Sequence, residues 1–487
     1  MVNWQRLNMV KKIALVLALF VYFLTPSYGK DILEDIPLAA HLKERYTDDL
    51  PELIKRRHIR VLTTFNRTNF FIANSRTYGF EYSLLKDYEK FLNRGIKRRE
   101  LKITLEFIPV SRDRLIPLLL EGYGDIAAAG LTITSERLKK VDFTDPYLTN
   151  VREVVVVHRS VKGIKKAEDL SGKTVYVRRT SSYYESLKLL NSKLTLKGLK
   201  PVRVEPADES LETEDILEMV NSGAIKITIA DSHIARIWSR VFKNIRVLDG
   251  AAVREGGKIA WMVRKDNPLL KKSLNRFIKS HRKGTRIGNI YFNRYFKNTR
   301  WIKNPLDKDI ARKPYIRLFK KYGKKYGFDW LFLMAVAYQE SGLNNKKRSP
   351  SGAVGIMQVR PATARDKNIG IRNIYRLENN IHAGTKYLAF LRDRYFSDPE
   401  LKERDRLRFT LAAYNAGPLK IKKARRVAKK MGLNPNRWFR NVEIAVLKTI
   451  GQETVQYVSN INKYYILYKL HFQNVEKRKA LKKQAVR

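Results

Sequence analysis

The sequence predicts a multidomain chain, an α/β domain followed by an all-helical one, and three observations carry that reading. At 487 residues the chain is too long for one ordinary hydrophobic core. From Ile59 onward, short apolar segments alternate with helix-length ones, the order of parallel strands joined by crossover helices. Beyond Asn298-Thr299-Arg300-Trp301-Ile302-Lys303-Asn304-Pro305, which reads as a linker, the apolar spacing is helical almost throughout. The expected boundaries are a signal segment over 1–29, a leader over 30–58, the α/β domain over 59–297, the linker over 298–312, the helical domain over 313–475 and a basic tail over 476–487.

Hydrophobic residues make up 44% of the chain, as in globular proteins. Lys and Arg number 98 against 47 Asp and Glu, a formal charge of +51 that favours anionic surfaces. Membrane or wall polymer is the expected partner; without a compact nucleic-acid motif, nucleic acid is not. No cysteine occurs, which excludes disulfides, thiolate ligands, cysteine catalysis and N-terminal cysteine lipidation. The seven histidines show no paired ligand spacing, so no metal is expected, and His382 reads as a helix-surface residue.

Arg6, Lys11 and Lys12 precede the apolar run Ile13 to Leu24, and Thr25-Pro26-Ser27-Tyr28-Gly29 supplies small residues around a cut after Gly29. That is a signal peptide. The run is about half the ~20 residues of a spanning helix, although extension to Tyr28 would make an uncleaved anchor. Lys30 to His58 reads as a charged, loosely packed leader.

Within the α/β region, Ile59 to Thr64 and Lys102 to Ile108 read as strands, Tyr82 to Asn93 and Arg112 to Glu121 as helices, and Asp125 to Ala129 as a short buried strand. Gly130-Leu131-Thr132-Ile133-Thr134-Ser135-Glu136-Arg137, then Val141-Asp142-Phe143-Thr144-Asp145-Pro146-Tyr147, and the later Asp169 to Val177, resemble family 3 periplasmic solute-binding proteins over Ile59 to Phe296. The resemblance implies two α/β lobes closing across a hinge on an amino-acid-like ligand. It implies that Arg137 grips a ligand carboxylate, that Thr132 and Ser181 make polar contacts from the two lobes, and that Asp231 accepts a ligand ammonium. Read without it, Arg137 is a surface charge, Asp231 a helix N-cap and Ser181 a turn residue. Arg178-Arg179-Thr180 departs from the family's glycine before the second-lobe turn, which predicts an altered pocket floor.

In the helical region Asp329 is a good N-cap, Gly342 a good stop, and the intervening residues lack proline and glycine, so Trp330 to Ser341 reads as a short buried helix. Leu333, Val336, Ala337 and Glu340 share a face, which sets a carboxylate on apolar surroundings at the last turn. Two environments are open to it. Turned outward it is simply solvated; held inward it resists ionising, aided by the helix dipole, and becomes a proton donor near neutral pH. Further helices are expected over 314–322, from Pro361 to Arg365, from Asn379 to Phe396, and over 408–415, 441–450 and 454–470, with the tail from Glu476 frayed.

Glu340-Ser341, Ser349-Pro350-Ser351-Gly352-Ala353-Val354-Gly355-Ile356-Met357-Gln358, Leu411-Ala412-Ala413-Tyr414-Asn415-Ala416-Gly417-Pro418 and Glu453-Thr454-Val455-Gln456-Tyr457-Val458, in this order, resemble the catalytic domain of soluble-type lytic transglycosylases, relatives of goose-type lysozyme. The resemblance implies a lysozyme-like fold and cleavage of the β-1,4 bond between N-acetylmuramic acid and N-acetylglucosamine, with 1,6-anhydro ends and no cofactor. Glu340 would be the sole acid and base. Ser341, Gly355, Met357, Gln358, Tyr414, Asn415 and Tyr457 would line the substrate site, with Met357 and Tyr457 open to a packing role instead. Asp366 and Glu378, the nearest downstream carboxylates, read as solvated.

The expected partners are therefore peptidoglycan strands, a small amino-acid-like or muropeptide ligand for the first domain, and an anionic membrane met peripherally, in the periplasm at the outer membrane of a Gram-negative envelope. Two alternatives remain open: a non-catalytic receptor that holds peptidoglycan, and a lysozyme-like hydrolase.

Overall fold

The computed structural model describes residues 44–73, 76–98, 101–303 and 314–485. The signal segment, the leader up to residue 43 and residues 304–313 of the linker lie outside them.

The first domain is built on β1 (His58–Thr63), the hairpin β2 (Phe71–Ala73) and β3 (Arg76–Tyr78), β4 (Thr104–Pro109), β5 (Ile126–Thr132), β6 (Asp142–Phe143), β7 (Leu148–His158), β8 (Thr174–Arg178), β9 (Arg203–Ala207), β10 (Ile227–Asp231) and β11 (Ile245–Val263). All but the hairpin join one sheet, in the order β4-β1-β5-β11-β7-β10-β8-β9, with β6 on β11. The expected parallel pairing holds at both ends: β1 pairs parallel with β4 and β5, and β8 with β9 and β10. Between them β7 and β11 run antiparallel to each other and divide the sheet into two lobes. The register of β11 on β7 shifts repeatedly between Leu248 and Ile259, where Gly250, Gly256 and Gly257 weaken regular pairing.

The leader departs from expectation. Asp49 caps a helix over Leu50–Arg56 with Pro51 in its first turn, and Leu53 is fully buried. Arg56 reaches Asp125 at 2.7 Å, Asn267 donates to the carbonyls of Thr47 and Asp48, and Tyr46 N–H donates to Gly122 at 2.8 Å. Several charges that read as a loose segment are paired, Arg56 with Asp125 among them, so residues 44–57 belong to the domain.

The second domain has helices over Pro314–Tyr326, Trp330–Ser341, Pro361–Arg365, Leu377–Tyr395, Glu403–Ala416, Pro418–Lys430, Glu443–Thr449 and Gln452–Ala485. The basic helix Pro418–Lys430 was not expected, and the tail is helical where fraying was anticipated: from Gln452 no proline or glycine interrupts a run of strong helix formers. Between the second and third helices the chain makes a tight loop with β-bridges Arg348–Val354 and Val354–Val359. The domains are not separate beads. One buried cluster runs from Leu62, Phe70 and Ile108 of the sheet into Phe332, Ile461 and Leu467. Arg437 pairs with Glu44 at 2.6 Å, and the Phe439 ring meets His58 edge-on at 5.7 Å.

Candidate active site

Trp330–Ser341 forms as expected: the Asp329 carboxylate accepts from Leu331 N–H at 2.9 Å, and Gly342 closes the helix at φ 67°. Residues 331–338 are all buried, so the helix is held on every side and its last turn is fixed. Asp329 also accepts from Tyr465 at 2.8 Å and Lys469 at 2.7 Å, which ties this helix to Gln452–Ala485. At the opposite end the same pair meets again, where Tyr457 hydroxyl donates to Glu340 Oε1 at 2.6 Å.

Of the two environments open to Glu340, the inward one is found. Burial of the carboxyl raises its pKa to about 7, against the lowering effects of the Tyr457 hydroxyl and the Lys347 charge. The Tyr457 phenol is itself pushed well above its ordinary value by burial and by Glu340, so it stays a donor. Tyr414 is raised in the same way, by burial and then by the Glu340 charge, and donates to the Met357 carbonyl at 2.8 Å. Asn415 is half-buried, and its side-chain oxygen accepts from Thr454 at 2.7 Å.

The loop after the helix is assembled by a residue that the periodicity did not single out. Asn380 is fully buried; it accepts from Met357 N–H at 2.8 Å and donates to the carbonyls of Val354 at 2.8 Å and Ile374 at 2.9 Å. Gly355, at φ 83°, lets that amide in: a Cβ there would lie 2.2 Å from Asn380 Nδ2. The legible signal was a polar residue beside Ile381 on the inward face of its helix. Gln358 sits at φ 48°, half-buried, and donates to the Gly355 carbonyl at 2.8 Å.

Ser341 does not take the place the resemblance implied, and Met357 takes the packing role that stood open. Ser341 is buried and its hydroxyl is committed to the Ile356 carbonyl at 2.7 Å and to Asn344 N–H at 3.0 Å, so it fixes the loop instead of facing substrate. The Met357 side chain is fully buried against Gly384, where a Cβ would meet its sulfur at 2.7 Å; only its backbone serves the site. Glu378 pairs with Lys321 at 2.7 Å and Asp366 accepts from Asn368 at 2.8 Å, and both are held below the ordinary carboxylate range by these partners. His382 is half-buried, stacked on Tyr322 and 2.8 Å from Tyr326 hydroxyl, not a plain surface residue. No cluster of metal-ligating side chains occurs among the described residues.

In the first domain Thr132, Arg137, Ser181 and Asp231 line one small cavity of about 30 Å³, and Asp231 also lines a second of about 20 Å³. Each has room for a water molecule. Arg137 spans the lobes by donating to the Thr132 carbonyl at 2.8 Å and the Thr180 carbonyl at 2.9 Å. Ser181 caps the helix Ser182–Leu196, its hydroxyl donating to the Arg178 carbonyl at 2.6 Å. Asp231 Oδ1 has no hydrogen-bond partner among the described residues, and burial with the Glu153 charge raises its pKa to about 7. Arg178, in place of the family glycine, is buried and donates to the Leu211 carbonyl at 2.8 Å. Arg112 meets Glu212 of the other lobe at 2.8 Å, a latch that no sequence pattern announced.

A family model of the transglycosylase SLT domain matches residues 317–435, and one of the bacterial extracellular solute-binding proteins, family 3, matches residues 59–298. Over 432 residues the chain is 33% identical to the membrane-bound lytic murein transglycosylase F of Desulfosudis oleivorans, covering 84% of this chain and 90% of that protein. It is 31% identical over 428 residues to the protein of that name from Pseudomonas fluorescens, covering 84% of each. The solved structure of an ancestral arginine-binding protein bound to arginine is 26% identical, with a TM-score of 0.41, and covers 50% of this chain and 99% of its own. Fold and site together define a solute-binding-like α/β domain joined to a helical transglycosylase domain. The chain belongs to the membrane-bound lytic murein transglycosylase F family.

Proposed function

We propose that the chain is a lytic murein transglycosylase in which Glu340 is the single acid and base. The observation that carries this is the half-buried carboxyl at the end of a fully packed helix, with a pKa of about 7 and a Tyr457 hydroxyl 2.6 Å away. Protonated Glu340 gives its proton to the glycosidic oxygen as the bond from that oxygen to the muramic C1 breaks. The substrate's own N-acetyl carbonyl oxygen closes on C1. The Glu340 carboxylate then takes the proton of the C6 hydroxyl while O6 displaces the acetamido oxygen, leaving a 1,6-anhydro ring and a reprotonated glutamic acid. Tyr457 holds the carboxyl in place through both steps, and the Asn415 amide binds an N-acetyl group. Tyr414 fixes the backbone carbonyl of Met357, and Gly355 and Gln358 shape the same wall of the cleft.

The first domain takes a small amino-acid-like or muropeptide ligand through Arg137, Thr132, Ser181 and Asp231 once the lobes open, and that ligand tunes cleavage. The partnerless Asp231 oxygen supports a cationic group on the ligand. No helix among the described residues is long and apolar enough to cross a membrane, and the charge of +51 supports peripheral attachment to an anionic membrane, in the periplasm at the outer membrane. The test is a comparison of binding with turnover: Glu340→Gln should still pellet with purified sacculi yet release no soluble sugar. Release equal to wild type would leave a protein that cuts by another group or only holds the polymer.

A further inference from the structure

The helix Pro418–Lys430 breaks the local rules of helix stability. Seven of its 13 residues are Lys or Arg and none is Asp or Glu. Like charges sit at i, i+3 and i, i+4, as in Lys420 and Lys423 or Lys422 and Arg426, and Lys420 opposes the helix dipole in the first turn. Such crowding destabilises the free helix and is relieved by an anion.

The cations are also gathered into a shaped groove. It has a volume of about 760 Å³, with walls from this helix, from Tyr395 at the end of the helix Leu377–Tyr395 and Asp398 just beyond it, and from Pro435 and Asn436. Arg425 fastens the walls together, reaching Asp398 at 2.8 Å, the Pro435 carbonyl at 2.9 Å and Asn436 at 2.6 Å. That satisfies the one carboxylate lining the groove. Lys420, Lys422, Lys423, Arg426 and Lys429 line the same groove and are exposed. Lys422 stands 5.2 Å from the Tyr395 ring, and Leu419 is 73% exposed at the rim.

Position links the groove to the reaction. Gly417 ends the helix that carries Tyr414 and Asn415 and begins the basic one, so Lys420 in the first basic turn follows Asn415 closely along the chain. A concave channel with a single exposed leucine suits a carboxylate-bearing chain better than a flat bilayer, which is gripped by several apolar side chains.

Resting on the transglycosylase reading, we propose that this groove binds the carboxylate-rich peptide stems of the strand whose sugars lie at Glu340, and so makes the enzyme prefer peptide-bearing over bare glycan. The test uses the full mature chain and the triple variant Lys422→Ser, Arg426→Ser, Lys429→Ser, which spares the wall-fastening Arg425. Cleavage rates are measured on strands carrying their peptides and on strands stripped of them by an amidase, with anhydro ends counted in both. The wild type should favour peptide-bearing strands, and the variant should lose about tenfold of that preference, the effect of three screened ion contacts. Added salt should erode the wild-type preference in the same direction. An unchanged ratio in the variant would overturn the proposal, as would a variant that loses only its binding to phosphatidylglycerol vesicles, which would assign the groove to lipid. Absence of anhydro ends from both kinds of strand would instead strike at the transglycosylase reading itself.

Discussion

In the proposed role, Glu340 ties its chemistry to pH through burial, which one hydrogen bond opposes. Because the proton donor is the protonated form, the initial rate should fall as pH rises through about 7. The Tyr457 hydroxyl lowers the carboxyl's pKa, so Tyr457→Phe should move that falling limb upward while cutting kcat by about 10- to 100-fold, in a pH–rate series on both proteins. Stability should carry the same signature with a defined sign. The folded carboxyl binds its proton more tightly than the unfolded one, so wild-type stability declines between about 4.5 and 7 as only the unfolded chain ionises. Glu340→Gln removes this decline. Relative to wild type it should gain about 1–2 kcal/mol between pH 4.5 and 7, a figure discounted for the carboxyl's solvent-facing edge, and denaturant titrations at the two pH values would measure it. A gain at the acid end instead would mean the carboxyl is ionised in the fold.

At the scale of elements, the loop from Arg348 to Val359 is held by one buried amide. Gly355→Ala places a methyl on Asn380 and forces a side chain into φ 83°, so it should destabilise the domain by about 2–4 kcal/mol. Thermal unfolding would register it, and an unchanged midpoint would mean that the loop relaxes around Asn380. The helix Trp330–Ser341 was legible in the sequence because its cap, its stop and its unbroken apolar run agree. The resemblance places Ser341 at the substrate and leaves Met357 open between cleft and core, because adjacency in a matched block does not tell which way a side chain points. Asn380 and the Arg112–Glu212 latch escaped because each acts between segments far apart in sequence, where periodicity carries no information. The leader misled for a related reason: a mixed-charge run looks solvated until its partners, Asp125 and Arg437 among them, arrive from elsewhere.

Across the whole molecule, the helix Gln452–Ala485 is the element shared by the two halves. It holds Tyr457 against Glu340, and further along Lys463 and Leu467 line a small cavity with Phe70, Tyr82, Lys86 and Phe107 of the first lobe. A ligand that shifts the first lobe therefore has a packed route to the acid, provided it binds the two states of that lobe unequally. The charge of +51 predicts a second property of the whole chain: pelleting with envelope fragments should weaken steeply between low and high salt. Equal pelleting at both would remove the electrostatic account of its attachment.

Lytic cleavage differs from hydrolysis most directly in its products. Purified peptidoglycan is incubated with the mature protein and, separately, with Glu340→Gln, and the soluble fragments are weighed by mass spectrometry. The result expected is anhydromuramyl ends from the wild type and none from the variant. Fragments heavier by one water, with reducing ends, would contradict it by making the enzyme a hydrolase.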